Sequence, residues 1–364
     1  MADRRAKGRG PHPLPLFLSL ATRVAGNEPD RLQAFLEGLK RYQTAPPAMP
    51  MPALDEIGRI GGVRLLRVGG AGKPLVIVPS LINAPAVLDL APGRSLVRFL
   101  AGQGHAVFLL DWGPMAASER RLGLAGLVSA RLLPLLRRFD APVRLMGYCL
   151  GGTLAIAAGQ LLGERLERLA LLAAPWHYGG FGEDARERAQ EIWRAIEPVG
   201  QSLGAVPVSL LNPMFWALDE EAVVRKFEAL SRRPEGDPHL GWFASVEDWA
   251  NSGAPLTMPA ARDLFVKAFG RDLMGAGRWV VRGERISPDA IRAPVLDIGA
   301  LRDRIVPPEA RIRTAGTDRR DVDSGHVGMV VGNGAQASLW EPLSLWLHGF
   351  QTDTAGRRGA AKRA

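Results

Sequence analysis

Six residues, Gly147-Tyr148-Cys149-Leu150-Gly151-Gly152, constrain this chain more than any other stretch. An apolar run, Val143–Met146, precedes them and a small-residue run, Thr153–Leu162, follows, so the sequence predicts a strand, a sharp turn and a helix. The pattern G-x-C-x-G-G is a nucleophile elbow with cysteine where serine is usual. Side chains two residues either side of the nucleophile would strike neighbouring backbone, which accounts for Gly147 and Gly151. Gly152 lets the helix pack close to the strand. The helix N-terminus directs its partial positive charge at Cys149 and favours the thiolate. Cys149 is the single cysteine, which excludes a disulfide framework and any CxxC-type zinc or redox site. The competing reading is a buried structural cysteine in a glycine-rich turn; placement between strand and helix favours chemistry.

The rest of the chain supplies a frame for such an elbow. Val63–Val68, Leu75–Pro79, His105–Leu110, Leu169–Ala174 and Pro294–Ile298 read as strands, with helices at Leu122–Arg138 and Ala335–Leu347. Pro134 is expected to kink or end the first of these helices. Apolar strands alternating with helices imply a mostly parallel sheet covered on both faces. Residues 177–290 break this rhythm with charged helical stretches and many aromatics, and read as an inserted helical lid. The core is then expected at residues 56–176 and 291–350. Residues 1–55 read as an appendage: Leu32, Phe35, Leu36 and Leu39 lie on one helical face, and the Pro-rich stretch Thr44–Pro52 reads as a linker.

Charge gives no argument for nucleic acid. The formal net charge is +9, but residues 1–10 and 351–364 each carry four Lys/Arg against one Asp, leaving +3 for the body. The C-terminal segment 351–364 is expected to be a disordered basic tail. No apolar run is long enough for a transmembrane segment, and Leu14–Leu20 is too short and too proline-flanked for a secretory signal. The chain is read as cytoplasmic, which suits a reduced thiol.

An elbow nucleophile needs a base and an orienting acid, which this architecture supplies in the order nucleophile, acid, histidine. His326 lies in Asp323-Ser324-Gly325-His326-Val327-Gly328, after the last expected strand and before the final helix, where the base belongs. His348 reads as a surface or packing residue, His239 as solvated in a lid turn, and His177 as a residue that follows a strand end and is a candidate to line the site. Asp303, in the loop after Pro294–Ile298, is the expected acid; Asp297 within that strand competes, and Asp321 and Asp323 are too near His326 in sequence. The oxyanion hole is expected from the backbone N–H of Leu150 and one N–H from the loop Ser80-Leu81-Ile82-Asn83, that of Leu81 or Ile82. No metal or tightly held cofactor is implied.

With these residues in place the sequence resembles the polyhydroxyalkanoate synthases, short members with an α/β-hydrolase fold and a cysteine at the elbow. The resemblance runs through Val78–Asn83, Leu88-Asp89-Leu90, Gly93–Val97, Leu109–Gly113, Gly147–Thr153, Asp303–Pro307 and Ser324–Gly328, covering roughly residues 60–180 and 290–350. Within the lid only Val246–Gly253 matches. The resemblance implies that Cys149 carries the acyl group, with His326 as base and Asp303 as its partner. It implies an acyltransferase that polymerises (R)-3-hydroxyacyl groups from CoA into polyester, with CoA entering as part of the substrate. The growing chain and a second synthase subunit or a homodimer are the implied partners, and polyester granules the implied location. Cysteine also suits transfer: a thioester exchanges for a thioester with little energy loss, so the acyl group stays reactive toward a hydroxyl. The alternatives are a cysteine hydrolase of the same fold (a thioesterase or esterase resembling dienelactone hydrolase) and a non-catalytic granule-associated protein.

Overall fold

The computed structural model describes residues 9–46, 51–114, 116–234 and 236–350. The basic tail 351–364 and most of the basic N-terminal run lie outside these residues, and the Pro-rich stretch Thr44–Pro52 is described only at its ends.

Eight strands form one sheet: β1 (Asp55–Ile60), β2 (Val63–Gly69), β3 (Pro74–Val78), β4 (Ala106–Asp111), β5 (Val143–Tyr148), β6 (Leu166–Leu172), β7 (Val295–Ala300) and β8 (Asp318–Val322), in the order β1-β2-β4-β3-β5-β6-β7-β8. β1 and β2 pair antiparallel, as do β2 and β4; every later pairing is parallel. The central strands β3 and β5 are buried along their whole length, as a sheet covered on both faces requires. Two apolar clusters occupy the two faces, one around Leu154 and Leu132, the other around Leu100 and Leu343. This is the α/β-hydrolase arrangement.

Two strands escaped the sequence reading. β1 is a mostly exposed edge with the sequence DEIGRI, and β8, at the other edge, reads DRRDV. Neither carries the apolar signal on which strands were assigned. The helix across Pro134 is not ended by it. It runs as Leu124–Leu127, a π-helical turn Val128–Leu132, and Leu133–Leu136. Proline has no N–H to donate, and the widened turn just before it takes up the mismatch within the helix.

The helix α1 (Leu14–Ala25), unpredicted, and α2 (Pro29–Thr44) form a contacting pair at the N-terminus. Phe35 and Leu39 are buried as their spacing predicts, whereas Leu36 is exposed. The pair is not a free appendage. Phe17 packs edge-on against Phe227 at 5.4 Å and Trp216 at 5.0 Å, Arg31 pairs with Glu228 at 2.8 Å, and Tyr42 donates to Asp248 at 2.9 Å. All of these partners belong to the segment between β6 and β7. That segment contains α3 (Glu183–Leu203), α4 (Val208–Trp216), α5 (Glu220–Ser231) and α6 (His239–Ala250). It covers the C-terminal ends of the parallel strands. No helix among the described residues is long and apolar enough to cross a membrane.

Candidate active site

Strand β5 ends at Tyr148, and the helix Leu150–Leu162 begins immediately after Cys149. Cys149 itself takes φ 54° and ψ −131°, a conformation that L-residues rarely adopt and that the flanking elements hold in place. The glycines have the steric origin the sequence suggested. A Cβ on Gly147 would lie 2.4 Å from the Gly152 Cα, and one on Gly151 would lie 2.2 Å from the Val78 carbonyl oxygen. Gly152 packs against Ala174 just beyond β6.

His326 follows β8 and Asp303 follows β7, and the parallel sheet brings both to the end where Cys149 lies. His326 Nδ1 is 2.7 Å from Asp303 Oδ2, and both side chains are buried. The other oxygen of Asp303 is fixed by the N–H groups of Ile305 and Val306, each at 2.8 Å. With Nδ1 engaged, Nε2 is left for Cys149. Burial alone would favour the neutral imidazole. The negative charge and hydrogen bonding of Cys149 and of Asp303 outweigh it and raise the His326 pKa. Tyr148, missed by the sequence reading, supports the same ring. It stacks on His326 at 5.1 Å, and its hydroxyl donates to the His326 carbonyl at 3.2 Å.

The competing acids are spoken for. Asp297, wholly buried in β7, is held by Arg311 at 3.0 Å. Its pKa is pushed up to about 6 by burial, which the charge of Arg311 only partly offsets. Asp321 also pairs with Arg311, and Asp323 pairs with Arg302 at 3.1 Å. Among the other histidines, His348 is exposed and stacks on His105. His239 is a correction: rather than lying free in a turn it opens α6, half-buried beside Trp242 at 5.0 Å. His177 stands away from the cavity, next to Asp272 and Gly275.

Cys149, His326 and Asp303 share a cavity of about 690 Å³ between the sheet end and the covering helices. Its walls are largely apolar, with Phe181, Phe215, Trp216 and Phe265 among them, and with Lys226 and Glu247 as an ion pair at 2.6 Å. Leu150 and Ile82 also line it. The Leu150 N–H opens a helix and has no partner within it. The Ile82 N–H is turned toward Ser80 Oγ at 3.3 Å, a long bond. Leu81 is buried against the core beneath. Arg304, next to Asp303, pairs with Asp219 at 2.8 Å, and Asp219 caps α5 through the Ala222 N–H.

The poly(3-hydroxyalkanoate) polymerase subunit PhaC of Haloferax mediterranei is 26% identical over 285 residues, covering 75% of this chain and 58% of that protein. The subunit of the same name from Haloarcula marismortui is 27% identical, covering 75% of this chain and 60% of that protein. The one from Allochromatium vinosum is 25% identical, covering 76% and 80%. All three of these relatives carry the same name, so the chain is similar to the polyhydroxyalkanoate synthases over about three quarters of its length. It spans about three-fifths of the length of the Haloferax and Haloarcula proteins. No family model matches it. Among solved structures, a monoacylglycerol lipase from Paleococcus ferrophilus superposes with a TM-score of 0.50 at 15% identity, covering 79% of this chain and 98% of the lipase. That likeness agrees with the α/β-hydrolase fold of this chain.

Proposed function

We propose that this chain is an acyltransferase that builds polyester from (R)-3-hydroxyacyl-CoA, with Cys149, His326 and Asp303 as its triad. The observation that carries the reading is the buried 2.7 Å contact from Asp303 to His326, on the ring that hydrogen-bonds the only cysteine, in a chain whose relatives are named polyester polymerases.

The chemistry runs in two halves. His326 Nε2 takes the Cys149 proton, and the thiolate attacks the acyl carbonyl carbon. The carbon–sulfur bond to CoA breaks, and the CoA thiolate leaves with the proton from His326. The 3-hydroxyl of the growing chain then gives its proton to His326 and attacks the Cys149 thioester, which releases the thiol. Asp303 holds the imidazole tautomer and stabilises its protonated form. The N–H groups of Leu150 and of Ile82 or Leu81 receive the carbonyl oxygen as it gains charge. The segment 177–290 acts as the lid, and its apolar wall protects the thioester from water. No cofactor enters this scheme, since CoA comes and goes with the substrate. A second subunit or a second copy of the chain, and a site of action on the polyester granule, belong to the same reading.

The test is incubation of the purified protein with 3-hydroxybutyryl-CoA, following CoA and product, alone and with a candidate second subunit. Polymer growing with CoA release is the expected result. Free 3-hydroxybutyrate in place of polymer would make the chain a hydrolase. No CoA release under either condition would make it non-catalytic.

A further inference from the structure

The loop that follows β3, Ser80–Ala84, is tied to the lid more firmly than to itself. Asn83 Nδ2 donates to the carbonyl oxygens of Ala250 at 3.1 Å and Ser252 at 3.2 Å. Trp249 Nε1 donates to the Ala84 carbonyl at 2.8 Å. Gly253 packs so closely on the loop that a Cβ there would sit 2.2 Å from the Ile82 carbonyl oxygen, and its φ of +147° is open to glycine alone. These partners are some 165 residues apart in the chain. Within the loop, the restraint on Ile82 is the 3.3 Å bond to Ser80. The aim of this loop's N–H groups is therefore set by residues 249–253, which end α6 and belong to the lid.

We propose that Asn83 and Trp249 are positioning residues that couple the lid to the oxyanion hole, so that the lid segment 249–253 aims the loop's N–H donor at the acyl oxygen on Cys149. The inference rests on the proposed acyl chemistry at Cys149. Its physical basis is that an oxyanion donor acts only when held at the position where charge develops, before the charge appears. A displacement of about 1 Å is enough to cost on the order of a hundredfold. A lid displaced from its seat would carry the loop with it and leave Ile82 to Ser80, coupling acylation to closure.

The experiment compares the wild type with Asn83→Ala and Trp249→Phe, the latter keeping the ring and losing only the N–H. Three rates are measured: CoA release from 3-hydroxybutyryl-CoA, acylation by p-nitrophenyl butyrate, and alkylation of Cys149 by iodoacetamide. Alkylation passes through no oxyanion, so it reads the thiolate alone. The expected result is acylation slowed roughly ten- to a hundredfold in both variants, with KM within about threefold and alkylation within about twofold of wild type. Unchanged acylation, or acylation and alkylation slowing together, overturns the inference. A wild type that takes the ester but releases no CoA overturns the acyl-CoA reading, while the ester still decides the coupling. A wild type acylated by neither overturns both.

Discussion

Two buried histidines stand at opposite ends of one sheet and are driven in opposite directions. His326, after β8, lies at the C-terminal ends of the parallel strands with Cys149 and Asp303. His105, just before β4, lies at their N-terminal ends. There its Nδ1 is 3.2 Å from Arg144, its Nε2 is 3.1 Å from Ser344, and its ring stacks on His348 at 4.1 Å. Arg144 in turn pairs with Glu167, which also holds Lys73. Burial disfavours the charged ring at both places. At His105 the neighbouring His348 and Arg144 add to it, and the pKa falls to about 4. At His326 a thiol and a carboxylate oppose it, and the pKa rises. Residue type and burial are therefore not enough to make a base. The charge of the neighbouring groups decides which histidine favours the proton and which stays neutral.

The largest effect expected is at the C-terminal end of the sheet. Cys149→Ala should abolish CoA release from 3-hydroxybutyryl-CoA in a stopped assay, since no second thiol exists to substitute; residual turnover would move the chemistry elsewhere. Asp303→Asn should lower acylation by about 10³- to 10⁴-fold, because the tautomer and the protonated ring both lose their support. Asp297→Asn should leave acylation within a few fold, since its partner is Arg311; equal losses in the two variants would remove the distinction between these neighbouring carboxylates. Tyr148→Phe removes one hydrogen bond to the His326 backbone, worth about 1 kcal/mol, and should slow acylation roughly fivefold.

The smallest effect belongs to the other end and is one of stability. His105 binds a proton near pH 6.5 when unfolded and only near pH 4 when folded. Between those values the unfolded state carries more protons, so stability is complete above about 6.5 and is lost as pH falls. Denaturant titrations at pH 6.5 and 5.5 should differ by about 1 kcal/mol from this group. His105→Gln should flatten that slope and leave turnover unchanged at neutral pH. A tenfold loss of turnover in His105→Gln would break the contrast between the two ends.

The elbow was legible because its constraints are local. Gly147 is dictated by backbone within a few residues, and Gly151 and Gly152 by the ends of the strands on either side, β3 and β6. His326 and Asp303 were legible at one remove, since a parallel sheet sends every loop after a strand to the same end. The polar edge strands Asp55–Ile60 and Asp318–Val322 were not, because a strand exposed to water needs no apolar alternation. Nor was the docking of α1 and α2, since an amphipathic helix declares that it has a partner without saying which. The aromatic face of Phe17 and Phe35 finds Phe227 about two hundred residues away.

What the sequence by itself determined is the sharp strand-to-helix turn at Cys149 and the end of the sheet where it lies, because short-range sterics and strand polarity are written in consecutive residues. Tertiary structure alone decided which carboxylate serves which cation, with Asp303 on His326 and Asp297 on Arg311. It alone seated the N-terminal helices on the segment between β6 and β7, and it alone tied Asn83 to the carbonyls of Ala250 and Ser252. Those choices depend on distances between segments far apart in the chain, which only the packed fold brings to hydrogen-bonding range.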